Sequence, residues 1–188
     1  MRLSQIFTAP NQLTLLRMLF LPFIVISLLN GDYWWALVLF ILAGISDGLD
    51  GLLARRLHQQ TTLGQYLDPV ADKLLLSTMF LVLSILHEIP WKYTVLVFSR
   101  DVSILGVSAI LYVAASLRDF RPSVFGKANT TAQVATVFLV LFRNVHYAGW
   151  VDFARKIGLW ATFAFTIISG IHYVFLAGER LRRANPAV

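Results

Sequence analysis

The stretch 46–73, SDGLDGLLARRLHQQTTLGQYLDPVADK, sets four carboxylates, Asp47, Asp50, Asp68 and Asp72, between apolar runs that look membrane-embedded. An ionised side chain at the centre of a bilayer costs at least about 2.5 kcal/mol, so the group calls for a compensating cation. On helices, Asp47 and Asp50 stand three residues apart and Asp68 and Asp72 four apart, so each pair projects from one face. Two such faces meeting make an oxygen-rich cage for hard divalent metal ions. Gly51 and Ala54 continue the first stripe with almost no bulk, which leaves room for a ligand against the backbone. Arg55 ends the stripe with a fork suited to phosphate. The chain has no cysteine, which excludes disulfides and thiolate metal sites.

The elements that must position these groups are apolar. Of 188 residues, 57% are hydrophobic and only 14% charged, against about 25% charged in a soluble domain. The expected class is therefore all-α, a polytopic membrane protein of a single domain over residues 1–188. No internal repeat or linker divides it. The formal net charge of +6 suits loops beside anionic lipid rather than nucleic acid. The basic start followed by an apolar run lacks a small-residue cleavage pattern and is read as mature protein.

Six transmembrane helices are expected, about 13–29, 33–57, 65–87, 91–115, 126–146 and 157–177, preceded by a short interfacial helix within residues 1–9. Asn11 or Thr14 is expected to cap the first, Pro22 to kink it, and Asn30-Gly31-Asp32 to turn the chain. Gly64 is expected to serve the turn into the third span and Pro69 to sit near its start. Six spans put both termini on one side with Arg2, Arg55, Arg56, Arg118, Arg121, Lys127 and the basic tail Arg180, Arg182 and Arg183. Lys92, Arg143, Arg155 and Lys156 lie opposite. The positive-inside rule makes the first side, which is also the side of the acids, cytoplasmic.

As a pattern, the stretch reads Asp, two residues, Asp-Gly, two residues, Ala-Arg, eight residues, Gly64, three residues, Asp68, three residues, Asp72. It resembles the signature of the CDP-alcohol phosphatidyltransferases, with every fixed position filled. The resemblance runs outward from Pro10-Asn11 to Gly126-Lys127. It implies a membrane enzyme that moves a phosphatidyl group from CDP-diacylglycerol to an alcohol with release of CMP. By the same resemblance, Asp47, Asp50, Asp68 and Asp72 hold two divalent ions, Mg2+ or Mn2+, with Asp72 completing the second site or acting as general base. Gly51, Ala54, Arg55 and Gly64 contact the donor, as do Asn11 and Thr14 in a first-helix stripe that ends at Arg17. The resemblance further implies a homodimer, and the expected location is a bacterial inner membrane. Without the surrounding pattern, paired acids in a membrane helix would equally suit a cation transporter.

The second substrate is an alcohol. Arg100 and Lys127 are costly inside spans unless they face a polar cavity, and with Arg121 they are read as a phosphate pocket for the acceptor. An ion pair of Arg100 with Asp101 is the plainer reading of the same residues. A phosphate pocket favours phosphate-bearing acceptors over choline or ethanolamine. The triplet Ser99-Arg100-Asp101, and Asn129 after Lys127, resemble the cardiolipin synthase branch, which inclines the reading to phosphatidylglycerol, with glycerol 3-phosphate close behind.

Overall fold

The computed structural model describes the backbone of residues 9–56, 62–115 and 124–184 and most of their side chains. Among these residues there are six helices and no strand: α1 (Ala9–Leu29), α2 (Tyr33–Arg56), α3 (Thr62–Ile85), α4 (Trp91–Ala115), α5 (Val124–Val145) and α6 (Gly149–Ala184). Most of the interfacial helix expected within residues 1–9, and of the polar loops expected at 56–62 and 116–125, lies outside the described residues, while Ala9, Arg56, Thr62, Val124 and Phe125 are helical.

Two tight turns show how the sequence sets the ends. Gly31 takes φ +80°, which lets Asp32 donate its N–H to the Ser27 carbonyl at 2.8 Å and start α2 at once. After α3 the same job falls to His87 at φ +61°, an uncommon place for a side chain. There the Glu88 and Ile89 N–H groups both reach the Leu83 carbonyl, and Ile89 is buried at 1% exposure. Burial of that side chain behind the helix end holds the turn.

α1 packs against α2 and α3, α5 pairs with α6, and α4 lies on α6 with a lighter contact to α3. α5 closes the bundle by touching α2 and α3 as well. The core is aliphatic and aromatic, built from Ile24, Leu28, Phe40, Met79, Phe80, Leu83, Val97, Val137 and Leu141. The interior also holds Arg17, Thr94, Asp101, Asn129, Gln133, Thr136, Thr162, Thr166 and Ser169. The outside carries Phe23, Ile26, Ile45, Ile85, Val102, Phe153, Ile171 and Phe175. Polar groups turned inward and apolar ones outward suit lipid rather than water. Four of the five tryptophans, Trp34, Trp35, Trp91 and Trp150, stand exposed in the first turns of α2, α4 and α6, all at one end. That is where an aromatic belt meets a membrane surface.

By length and apolarity, the segments Val124–Val145 and Gly149–Leu176 can cross a bilayer, while Leu16–Leu29 and Tyr33–Ser46 are shorter apolar stretches.

Several boundaries differ from expectation. α1 is helical from Ala9, so both Asn11 and Thr14 lie within it rather than at a cap, and the helix continues through Pro22. α3 starts at Thr62, which puts Gly64 inside the first turn instead of in a turn of the chain. Pro69 becomes the eighth helical residue, where it cannot donate to the Gln65 carbonyl. α6 starts eight residues early because Asp152 in its first turn pairs with Arg155 and Lys156, charges that read as loop in the sequence. The basic tail continues α6 as far as Ala184.

Candidate active site

The acid pairs sit on two helices joined by five residues, so the end of α2 and the start of α3 are within about 20 Å of each other. Asp50 lies six residues before the end of α2 and Asp68 six after the start of α3, about 9 Å along each axis. Asp47 and Asp72 lie nine and ten residues in, about 14 Å. The backbone therefore sets the two pairs in matching register at one end of the bundle. α1 and α5, which both contact α2 and α3, hold the two acidic helices in place. The side chains of Asp47, Asp50 and Asp68 lie outside the described ones, as do those of Asn11, Thr14, Gly51, Ala54, Arg55, Gly64 and Arg121. Asp72 is half-buried. Among the described residues no other group of three acids or histidines has the makings of a metal site.

Arg17, the last member of the α1 stripe, is 1% exposed. It is therefore no interfacial anchor: the stripe points its guanidinium into the bundle, on the helix that contacts both acid-bearing helices. A guanidinium in that position is sustained only by polar or charged partners.

The residue after Asp72 ties in the next helix. Lys73 Nζ lies 2.7 Å from Asp101 Oδ1, and Arg100 Nη1 lies 2.7 Å from the same oxygen. Arg100 Nη2 donates to Ser169 Oγ at 2.7 Å, so α3, α4 and α6 are joined through one guanidinium and one carboxylate. Lys73 and Arg100 share the Asp101 carboxylate, so these three described residues together carry one net positive charge next to Asp72. The Arg100–Asp101 pair is thus present, and Arg100 Nε keeps an unused N–H in the interior. Lys127 is exposed on the first turn of α5 and is not brought into this cluster.

Below the cluster runs a polar seam that the acid motif does not signal. On α5, Asn129, Gln133 and Thr136 recur at helical spacing on the buried face. On α6, Thr162, Thr166 and Ser169 recur in the same way. The Thr136 and Thr162 hydroxyls are 2.9 Å apart, and Thr166 Oγ1 donates to Asn129 Oδ1 at 2.9 Å. The amide nitrogens of Asn129 and Gln133 are buried without a partner. Polar residues at positions i, i+4 and i+7 on two successive apolar helices were the available sequence signal.

At the far end a separate network holds the bundle shut. Arg143 pairs with Glu88 at 3.4 Å and with Asp152 at 3.2 Å, while Arg155 Nη1 donates to the Glu88 carbonyl at 3.3 Å. Two acids thereby offset most of the positive charge there.

The sequence profile described as CDP-alcohol phosphatidyltransferase matches residues 7–168. The chain is 30% identical, over 95% of its length and 100% of the relative's, to a CDP-diacylglycerol–glycerol-3-phosphate 3-phosphatidyltransferase of Bacillus subtilis (strain 168). It is 33% identical to a probable phosphatidylglycerophosphate synthase of Mycobacterium tuberculosis (strain ATCC 25618 / H37Rv), over 91% of this chain and 82% of the relative. A probable cardiolipin synthase (CMP-forming) of Drosophila melanogaster is also 33% identical, over 84% of this chain and 53% of the relative. With an acid motif in matched register on α2 and α3 and a family match across most of its length, the chain belongs to the CDP-alcohol phosphatidyltransferases, enzymes of phospholipid biosynthesis.

Proposed function

We propose that the chain transfers the phosphatidyl group of CDP-diacylglycerol to phosphatidylglycerol, forming cardiolipin and CMP. The observation that carries this choice is the Lys73–Asp101–Arg100 cluster next to Asp72, with its single net positive charge. One such charge balances a phosphodiester better than a phosphomonoester, which carries nearly two negative charges at neutral pH. Glycerol 3-phosphate is the second reading, favoured by the Bacillus subtilis relative named for it, which this chain matches along that relative's whole length.

In the proposed reaction the acceptor hydroxyl oxygen attacks the phosphatidyl phosphorus. The anhydride P–O bond opens, CMP leaves with the bonding pair, and the hydroxyl proton passes to the Asp72 carboxylate. A carboxylate is a weak base for an alcohol, so the alcohol must be acidified in the site. Asp47, Asp50, Asp68 and Asp72 form an all-oxygen donor set suited to Mg2+ or Mn2+ and would hold two such ions. When bound, these supply Lewis-acid stabilisation of charge on the phosphate oxygens and lower the alcohol's pKa. Gly51, Ala54 and Gly64 give the donor's diphosphate close access to backbone, and Arg55 offers it a fork of N–H donors. Asn11 and Thr14 would border the donor from α1. Arg100 orients the acceptor phosphate.

The setting proposed is a bilayer crossed by all six helices, with both termini and the acids on the cytoplasmic side of a bacterial inner membrane, in a homodimer. The apolar outer faces of the helices support the first point, and the offset of Arg143, Arg155 and Lys156 by Glu88 and Asp152 supports the orientation. Purified protein given CDP-diacylglycerol with each acceptor tests the reading. Cardiolipin and CMP are expected with phosphatidylglycerol, and release of CMP with glycerol 3-phosphate alone would hand the assignment to the second reading. No CMP with any acceptor would leave a cation transporter using the same acids.

A further inference from the structure

Between α4 and α6 lies a groove of about 410 Å³, and Arg100 lines it. Leu96, Ile104, Ile167 and Ile171 make its walls, and it opens sideways along the outside of the bundle. The Arg100 stem lies alongside α6 at Gly170, where a Cβ would stand in ordinary contact, 3.9 Å from Arg100 Cγ. The guanidinium that ends this stem is fixed to Asp101 and Ser169, in the cluster that reaches Asp72 through Lys73. Thus a lateral apolar groove and a positive charge of the reaction site share one residue.

A second groove of about 440 Å³ flanks α4 on its α3 side and is lined by Leu81, Val95, Phe98 and Val102 among others, with no charged residue. Either groove would accept a passing lipid chain. The α4–α6 groove alone combines an apolar channel with a cation at hydrogen-bonding distance from the catalytic cluster, which is what a lipid with an anionic phosphodiester presents. A soluble glycerol phosphate needs no such wall.

We infer that the α4–α6 groove seats one acyl chain of the lipid acceptor, so that the acceptor enters sideways from the bilayer with its phosphodiester stopping at Arg100. The inference rests on the proposed use of phosphatidylglycerol. It assigns the groove to the acceptor rather than the donor because the donor stripe Gly51, Ala54 and Arg55 is on α2, which packs against α1 and α5, not along this groove. Bound this way, an acceptor is oriented by its tail before its hydroxyl reaches Asp72.

The test fills the groove from each wall with Ser103→Trp and Ile167→Trp, both outside the reaction cluster. Steady-state rates are measured in mixed micelles with long-chain and short-chain phosphatidylglycerol. Each variant is expected to raise KM for the long-chain acceptor about tenfold, as loss of roughly two buried methylenes would, while the short-chain acceptor changes little. KM for CDP-diacylglycerol is expected to stay at the wild-type value, which also reports an intact fold. An equal effect on both acceptors, a shift in the donor's KM instead, or no effect overturns the inference. So does a change from dimer to monomer on size exclusion, which would give the groove to a second copy of the chain. Wild-type protein that uses glycerol 3-phosphate and ignores phosphatidylglycerol sinks the acceptor choice itself, a result separate from variants that leave the long-chain KM untouched.

Discussion

Lys73 Nζ and Asp101 Oδ1 lie 2.7 Å apart and join the helix of the catalytic motif to a helix that contributes none of its acids. Lys73 immediately follows Asp72, so this pair ties α4 to the acid-bearing half of α3. Asp101→Asn is expected to destabilise the protein by about 3 kcal/mol, because Arg100 and Lys73 would then face each other with no anion between them. Thermal unfolding in detergent measures it. An unchanged Tm would mean that solvent already screens the half-exposed Lys73.

Asp72→Asn keeps the size and hydrogen-bonding reach of the side chain but cannot take a proton. CMP release is expected to fall by about 10² to 10⁴ with little change in the unfolding temperature. Full activity in this variant would remove Asp72 from the base role.

Under the proposed metal site, chelation is expected to stop turnover, and added Mg2+ or Mn2+ to restore it, since four carboxylates gathered there would repel each other without cations. Asp68→Asn should require more added metal for half-maximal rate. Chelator-treated protein that works undiminished would end the metal reading.

Gly158 brings α6 close against α5: a Cβ there would stand 3.0 Å from Thr136 Oγ1. Gly158→Ala is expected to force a small shift of the Thr136–Thr162 hydroxyl pair and cost about 1 kcal/mol, and Gly158→Leu about 3 kcal/mol. Pulse proteolysis or Tm in detergent reads the difference.

The Thr166–Asn129 hydrogen bond crosses the same interface higher up. A double-mutant cycle with Thr166→Val and Asn129→Leu is expected to give a coupling of about 1 kcal/mol. Additive losses would show that the two residues stabilise α5 and α6 separately.

The sequence made the helices legible wherever apolar runs ended in strong punctuation. Trp91–Ala115 coincides with the expected fourth span because Pro90 and the His87 turn leave no other start. α6 was under-read by eight residues because Asp152, Arg155 and Lys156 look like loop until their i,i+3 and i,i+4 pairing is seen. Gly64 differs for the opposite reason: glycine's freedom suggests a turn of the chain, yet the residue lies in the first turn of α3. The motif acids were plain, because carboxylates at fixed spacing in apolar surroundings have few uses. The cluster built on Asp101 was half visible. Arg100 with Asp101 are neighbours in the chain, but Lys73 and Ser169 join them only through helix packing, which no local spacing encodes.

The ring of exposed indoles at the start of α2, α4 and α6 gives the molecule a fixed waterline at one rim only. In the proposed six-span setting, a change in bilayer thickness would then be absorbed at the opposite rim, where the acid-bearing helix ends lie. Membranes of different chain length would thus raise or submerge the reaction centre while leaving its chemistry alone, making the catalyst sensitive to the very material whose composition it adjusts.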